Sequence, residues 1–79
     1  RDNLLKLLPQ IKCPVLLLWG EDDTVTTMDI AETFHKNIPN SKLVTVKNSG
    51  HAPMIEHPEW FANEIEKFLR EHSRHFKKS

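Results

Sequence analysis

Apolar positions fall along this chain in two rhythms. The first is an unbroken run, Val15-Leu16-Leu17-Leu18-Trp19, which follows Pro14, stops at Gly20 and passes directly into Glu21, Asp22 and Asp23. A continuous apolar stretch of this length between breakers predicts a strand over about 15–19, buried on both faces as in a central parallel strand. Leu43-Val44-Thr45-Val46, rich in β-branched residues, predicts a second strand over about 43–46. The second rhythm is helical. Met28, Ala31, Phe34 and Ile38 recur at steps of three and four, which predicts an amphipathic helix over about 28–38 that Pro39 ends. Thr26, with Asp29 three residues on, nearly matches a capping box at its start. Leu4, Leu5, Leu7 and Leu8 give Asp2–Leu8 one short apolar helical turn before Pro9. Pro58 suits a first helical position, and Phe61, Ile65, Phe68 and Leu69, continued by His72 and Phe76, mark the packing face of a closing helix over about 58–73 with a frayed tail.

Strand, helix, strand is a βαβ unit, so the fold class is α/β, with parallel pairing and a right-handed crossover. Parallel pairing brings both carboxyl ends to one edge of the sheet. Asp22 and Asp23 leave the first strand there, and Lys47-Asn48-Ser49-Gly50-His51 leaves the second beside them. Glycines are expected to make the tight turns after both strands. Neighbouring strands lie roughly 4.8 Å apart, so a carboxylate and an imidazole at adjacent strand ends come within reach. Such a pair can orient a general base. The acid accepts from one ring nitrogen and stabilises the imidazolium, while the other nitrogen takes a proton from a nucleophile.

Composition narrows the readings further. The 79 residues carry 11 basic and 11 acidic side chains, a formal net charge of zero, and no field that would draw nucleic acid. Arg70, Arg74, Lys77 and Lys78 form the one basic cluster, which reads as a solvated helix end. No apolar run approaches the roughly 20 residues of a membrane span. Cys13 is the single cysteine, which excludes an intrachain disulfide within these residues and is compatible with a reducing compartment. A chain this short buries only roughly 60% of its unfolded surface. Two parallel strands with open edges are a poor independent unit, so the piece is expected to be marginal alone. The first residue is Arg1 rather than methionine, consistent with an excerpt from a longer sequence.

Leu16-Leu17-Leu18-Trp19-Gly20-Glu21-Asp22-Asp23, followed by Ser49-Gly50-His51-Ala52-Pro53-Met54-Ile55-Glu56-His57-Pro58-Glu59-Trp60-Phe61, resembles the C-terminal portion of the α/β-hydrolase fold superfamily over nearly all of Ile11–Leu69. The resemblance implies the closing βαβα portion of that family's parallel sheet, with Asp23 as the acid and His51 as the histidine of a catalytic triad. Asp22 is the fallback for the acid. Thr27 stands where many members carry proline, which bears on how the helix starts. Glu56 and Pro58 match a recurrent family segment and read as a loop anchor and a helix start. The implied chemistry is hydrolysis of an ester, thioester, amide or carbon–carbon bond in a small acyl substrate, without a cofactor.

The family's Gly-x-Ser-x-Gly nucleophile elbow is absent from these residues. Ser41 and Cys13 precede strands and fall at the wrong edge, and Ser49 lacks an elbow. The nucleophile and oxyanion hole are therefore expected upstream, in the rest of the hydrolase domain, and the piece alone is expected to be inactive. Three other readings compete: a non-catalytic relative kept as a binding or scaffold module, a metal site from Asp22, Asp23, His51, Glu56 and His57, and an acidic turn that is merely solvated. His35, beside the apolar stripe of the first long helix, reads as a surface or packing residue.

Overall fold

The computed structural model describes residues 2–76, so Lys77 and Lys78 of the basic cluster and the end of the tail for which fraying is expected lie outside the described residues. The chain opens with helix α1 (Asp2–Leu7), which tightens into a 3₁₀ turn over Leu8–Gln10 where Pro9 removes an amide donor. Strand β1 (Val15–Gly20) follows, then α2 (Met28–Asn37), strand β2 (Ser41–Val46), a single helical turn α3 (Pro53–Glu56), the long α4 (Pro58–Glu71) and a last turn α5 (Ser73–Phe76). The fold is α/β: β1 and β2 pair in parallel, α2 is the crossover between them, and α4 closes the chain.

Several boundaries move for local reasons. The ladder starts at Val15 opposite Ser41, two residues before the β-branched run, because the Val15 amide donates to the Asn40 carbonyl at 2.9 Å and draws Ser41 and Lys42 into register. Ile38 leaves the α2 spiral with an extended backbone (φ −97°, ψ 114°), the conformation favoured before Pro39. The closing helix divides at His72, whose backbone (φ −120°, ψ 34°) is no longer helical. Phe68 nevertheless gathers His72 and Phe76 around its ring, at centroid distances of 4.6 and 6.0 Å.

Helices α2 and α4 both pack on the sheet. Leu8, Ala31, Ile38 and Phe68 form the buried apolar core, and Trp19 meets Phe34 of α2 edge to face at 6.3 Å. Burial of β1 is the main departure from the apolar pattern. Val15–Trp19 are only half-buried, because a sheet of two strands covers one edge of each and leaves the other open. The described residues form a slab of 38 × 35 × 14 Å with a radius of gyration of 13.5 Å. A self-contained chain of this length would have about 12 Å. Among the described residues no helix is long and apolar enough to cross a membrane.

Candidate functional site

The two strands end level, with Gly20 opposite Val46, and the loops beyond them stay zipped together. The Glu21 amide donates to the Val46 carbonyl at 2.9 Å, and the Asp22 amide donates to the Ser49 carbonyl at 2.8 Å. Gly20 is required here for room rather than for a turn. A β-carbon on it would stand 2.5 Å from the Ser49 carbonyl oxygen and closer still to that of Gly50, all of it backbone that has nowhere to go. The left-handed turn after β2 is made by Asn48 (φ 57°), one of the few side chains that tolerate it, and neither glycine has a positive φ.

Asp23 is the focus of the edge. Its side chain is 5% exposed, and its two oxygens take four donors. Oδ1 accepts from the Val25 amide at 2.8 Å and the Thr26 amide at 2.9 Å. Oδ2 accepts from the Thr26 hydroxyl at 2.7 Å and from His51 Nδ1 at 3.0 Å. Burial is the largest single influence on this carboxyl and pushes its pKa up. The hydrogen bonds from the Thr26 hydroxyl, His51 and the Thr26 and Val25 amides together outweigh it, and hold the carboxyl well below the usual carboxylate range. Asp23 is thus an anion, and an anion can only accept, so the proton between it and the imidazole sits on Nδ1. His51 Nε2 is the ring's other nitrogen, outside this bond, on a side chain that is 65% exposed.

The His51 loop is tied from behind by α3. Glu56 Oε1 accepts from the Ser49 hydroxyl at 2.9 Å and from the Gly50 amide at 2.8 Å, and His57 Nε2 donates to the Asn48 carbonyl at 3.0 Å. A shallow cavity of about 260 Å³ includes Asp23, Thr26 and His51 in its lining, together with Leu18, Trp19, Gly20, Pro53 and Met54.

The structure therefore brings Asp23 and His51 together across 28 positions of chain and leaves Asp22 exposed outside the pair. Ser49 is 1% exposed, with its hydroxyl committed to Glu56. Ser41 and Cys13 lie at or before the opposite ends of the strands. Glu56 and His57 are engaged in anchoring the loop, and among the described residues no three His, Cys, Asp or Glu side chains converge as metal ligands. His35 bonds Ser41 through Nδ1 at 2.9 Å, away from this edge.

Two residues of the site have other roles than the sequence suggests. Thr26 does not cap α2: Thr27 occupies the cap position without a side-chain bond to the helix amides, and the Thr26 hydroxyl turns back to Asp23. Trp19 is more than the end of an apolar run, since its indole N–H donates to the Thr26 carbonyl at 2.7 Å. A tryptophan at the end of an apolar run, next to an acid-bearing turn, was the available signal: its N–H seeks a partner when it is withdrawn from water.

Known proteins resemble the chain over most of its length. The family model Abhydrolase_4, described as TAP-like protein, matches residues 2–76. The chain is 35% identical over 63 residues to the uncharacterized hydrolase YugF of Bacillus subtilis, covering 80% of this chain and 23% of that protein. It is 39% identical over 62 residues to a pimeloyl-[acyl-carrier protein] methyl ester esterase of Neisseria meningitidis, covering 78% of this chain and 24% of that one. Among solved structures, an α/β-hydrolase enzyme from a lagoon-sediment metagenome of Mar Chica, Morocco, superposes with a TM-score of 0.86 at 36% identity, covering 89% of this chain and 32% of that chain. The chain spans about a quarter of the length of the curated relatives it matches.

Proposed function

The chain belongs to the α/β-hydrolase superfamily, and from that premise we propose that it supplies the acid and the histidine of a catalytic triad, Asp23 and His51, to a serine-type hydrolase. The nucleophile and oxyanion hole come from the remainder of the hydrolase domain, upstream of these residues. The observation that supports the reading is the 3.0 Å bond between His51 Nδ1 and the buried Asp23 carboxylate, on an imidazole whose other face is open.

In this reading His51 Nε2 takes the proton of the nucleophile's hydroxyl as its oxygen attacks the substrate carbonyl. The imidazolium that forms is stabilised by Asp23 and then protonates the leaving group as the acyl bond breaks. Water, activated by the same nitrogen, attacks the acyl-enzyme; its hydroxyl goes to the acyl group and its proton returns to the nucleophile. Asp23 stays ionised throughout, in keeping with its depressed pKa. Small acyl substrates with an ester, thioester, amide or activated carbon–carbon bond fit this chemistry. The esterase among the relatives favours an ester.

The decisive experiment is His51→Ala in the full-length protein assayed on short-chain esters. Turnover is expected to fall on the order of 10³-fold or more. Near-full turnover would overturn the assignment.

A further inference from the structure

Asp23 has more donors than one histidine needs, and their origin is informative. Three of the four come from residues two and three positions on, the amides of Val25 and Thr26 and the Thr26 hydroxyl, and they occupy every acceptor direction but the one His51 uses. A carboxylate has about four such directions, so its rotation is fixed by residues 25 and 26 before any imidazole arrives. Those residues are in turn held to the sheet by one side chain. Trp19 lies in β1 with its ring against Phe34, and its indole N–H reaches the Thr26 carbonyl at 2.7 Å. The Thr26 hydroxyl also stands 3.4 Å from His51 Nδ1, beside the Nδ1–Oδ2 bond. Its single proton is given to Asp23, so it offers the imidazole only a lone pair, and this favours the N–H form of Nδ1.

We propose that Thr26 is a positioning residue for the Asp23–His51 pair, and that the Trp19 indole N–H holds Thr26 in place. This rests on the triad reading above. Without the Thr26 hydroxyl, Oδ2 keeps a free lone pair that water can claim, and the carboxylate can rotate away from Nδ1. Without the indole N–H, the turn that carries three donors loses its tie to the strand. Neither residue exchanges a proton with substrate, so the effect falls on turnover through His51.

The test uses the full-length protein with ¹⁵N-labelled histidine, and compares Thr26→Val, Thr26→Ser, Trp19→Phe and His51→Ala. Two readouts are taken: the low-field proton resonance of His51 Nδ1–H, and kcat and KM on an ester. Thr26→Val keeps the shape and the backbone amide. It is expected to move the resonance upfield or broaden it and to lower kcat about tenfold, as expected for one charge-assisted hydrogen bond, with KM little changed. Thr26→Ser should restore both readouts, and Trp19→Phe should resemble Thr26→Val. A Trp19→Phe protein that does not fold leaves the decision to Thr26→Val, read in the same way. An unmoved resonance and unchanged kcat in Thr26→Val, beside an inactive His51→Ala, overturn this proposal alone. Full activity in His51→Ala overturns the triad and this proposal with it.

Discussion

Gly20 and Gly50 meet backbone to backbone at the carboxyl edge of the sheet, so closely that no side-chain carbon fits between them. That contact lets the loop after β2 lie across the end of β1. It is the steric condition for His51 to reach an acid on the neighbouring strand.

Gly20→Ala is therefore expected to be poorly tolerated. The added methyl meets only backbone of Ser49 and Gly50, and relief requires the His51 loop to shift. Overpacking of this kind costs about 1–3 kcal/mol. Denaturant melts of the full-length variant should show that loss, together with a fall in kcat as His51 leaves Asp23. A variant with unchanged stability and turnover would contradict the geometry.

The two neighbouring acids should separate cleanly under substitution. Asp23→Asn replaces an acceptor-only group by one that presents donors to Thr26 and His51, and should reduce kcat on the order of 10³-fold or more. Asp22 is exposed and contributes its amide, not its side chain, to the loop zipper, so Asp22→Asn should stay close to wild-type turnover. The reverse order of effects would transfer the role to Asp22.

Glu56 anchors the histidine loop through a single oxygen that accepts two hydrogen bonds. Glu56→Gln retains an acceptor there and should be mild. Glu56→Ala leaves the buried Ser49 hydroxyl and the Gly50 amide without it and should cost about 1–3 kcal/mol in stability. Equal melting behaviour of the two variants would show that the anchor contributes nothing.

Acid should erase the contribution of Asp23. Its carboxyl is held below its ordinary value of 3.8 in the folded state. The associated stability is therefore fully present at pH values above 3.8 and is lost as the pH falls through that value towards the lower folded one. The stability difference between wild type and Asp23→Asn should be constant near neutrality and shrink below about pH 4. Denaturant titrations at pH 7 and pH 3 measure it directly, and a gap that widens in acid would reverse the sign.

How much of this was legible in the residues depends on how local the cause is. The parallel βαβ unit follows from one apolar run, one stripe and one β-branched run. With it comes the meeting of Asp23 and His51, because strand direction alone decides which ends share an edge. Choosing Asp23 over Asp22 needed the superfamily pattern as well. Thr26 was beyond reach of spacing. Its distance to Asp29 fits a cap and its distance to Asp23 fits an Asx-type turn, and only the closed loop decides between them. The left-handed turn fell to Asn48 although Gly50 stands two residues away, since both residue types tolerate the conformation. The half-burial of β1 is a matter of neighbours. An apolar strand calls for partners on both edges, and within the described residues the sheet has two strands.

The same open edges make a statement about the 79-residue chain by itself. With a core among the described residues of little more than Leu8, Ala31, Ile38 and Phe68, and both described strands unpaired on one side, it should aggregate or melt broadly. A sharp, cooperative monomeric transition above ~60 °C would be incompatible with that.

Val25 gives the buried carboxylate only its main-chain hydrogen, while 70% of the residue faces outward. The position is thus free to drift through almost the whole alphabet of side chains without disturbing the acid behind it. Proline alone is barred, because it brings no hydrogen to give. Sequence variation around this turn should accumulate at 25 and spare 23 and 26, and an engineer altering the surface beside the acid has there one site adjacent to the pair yet uncoupled from it.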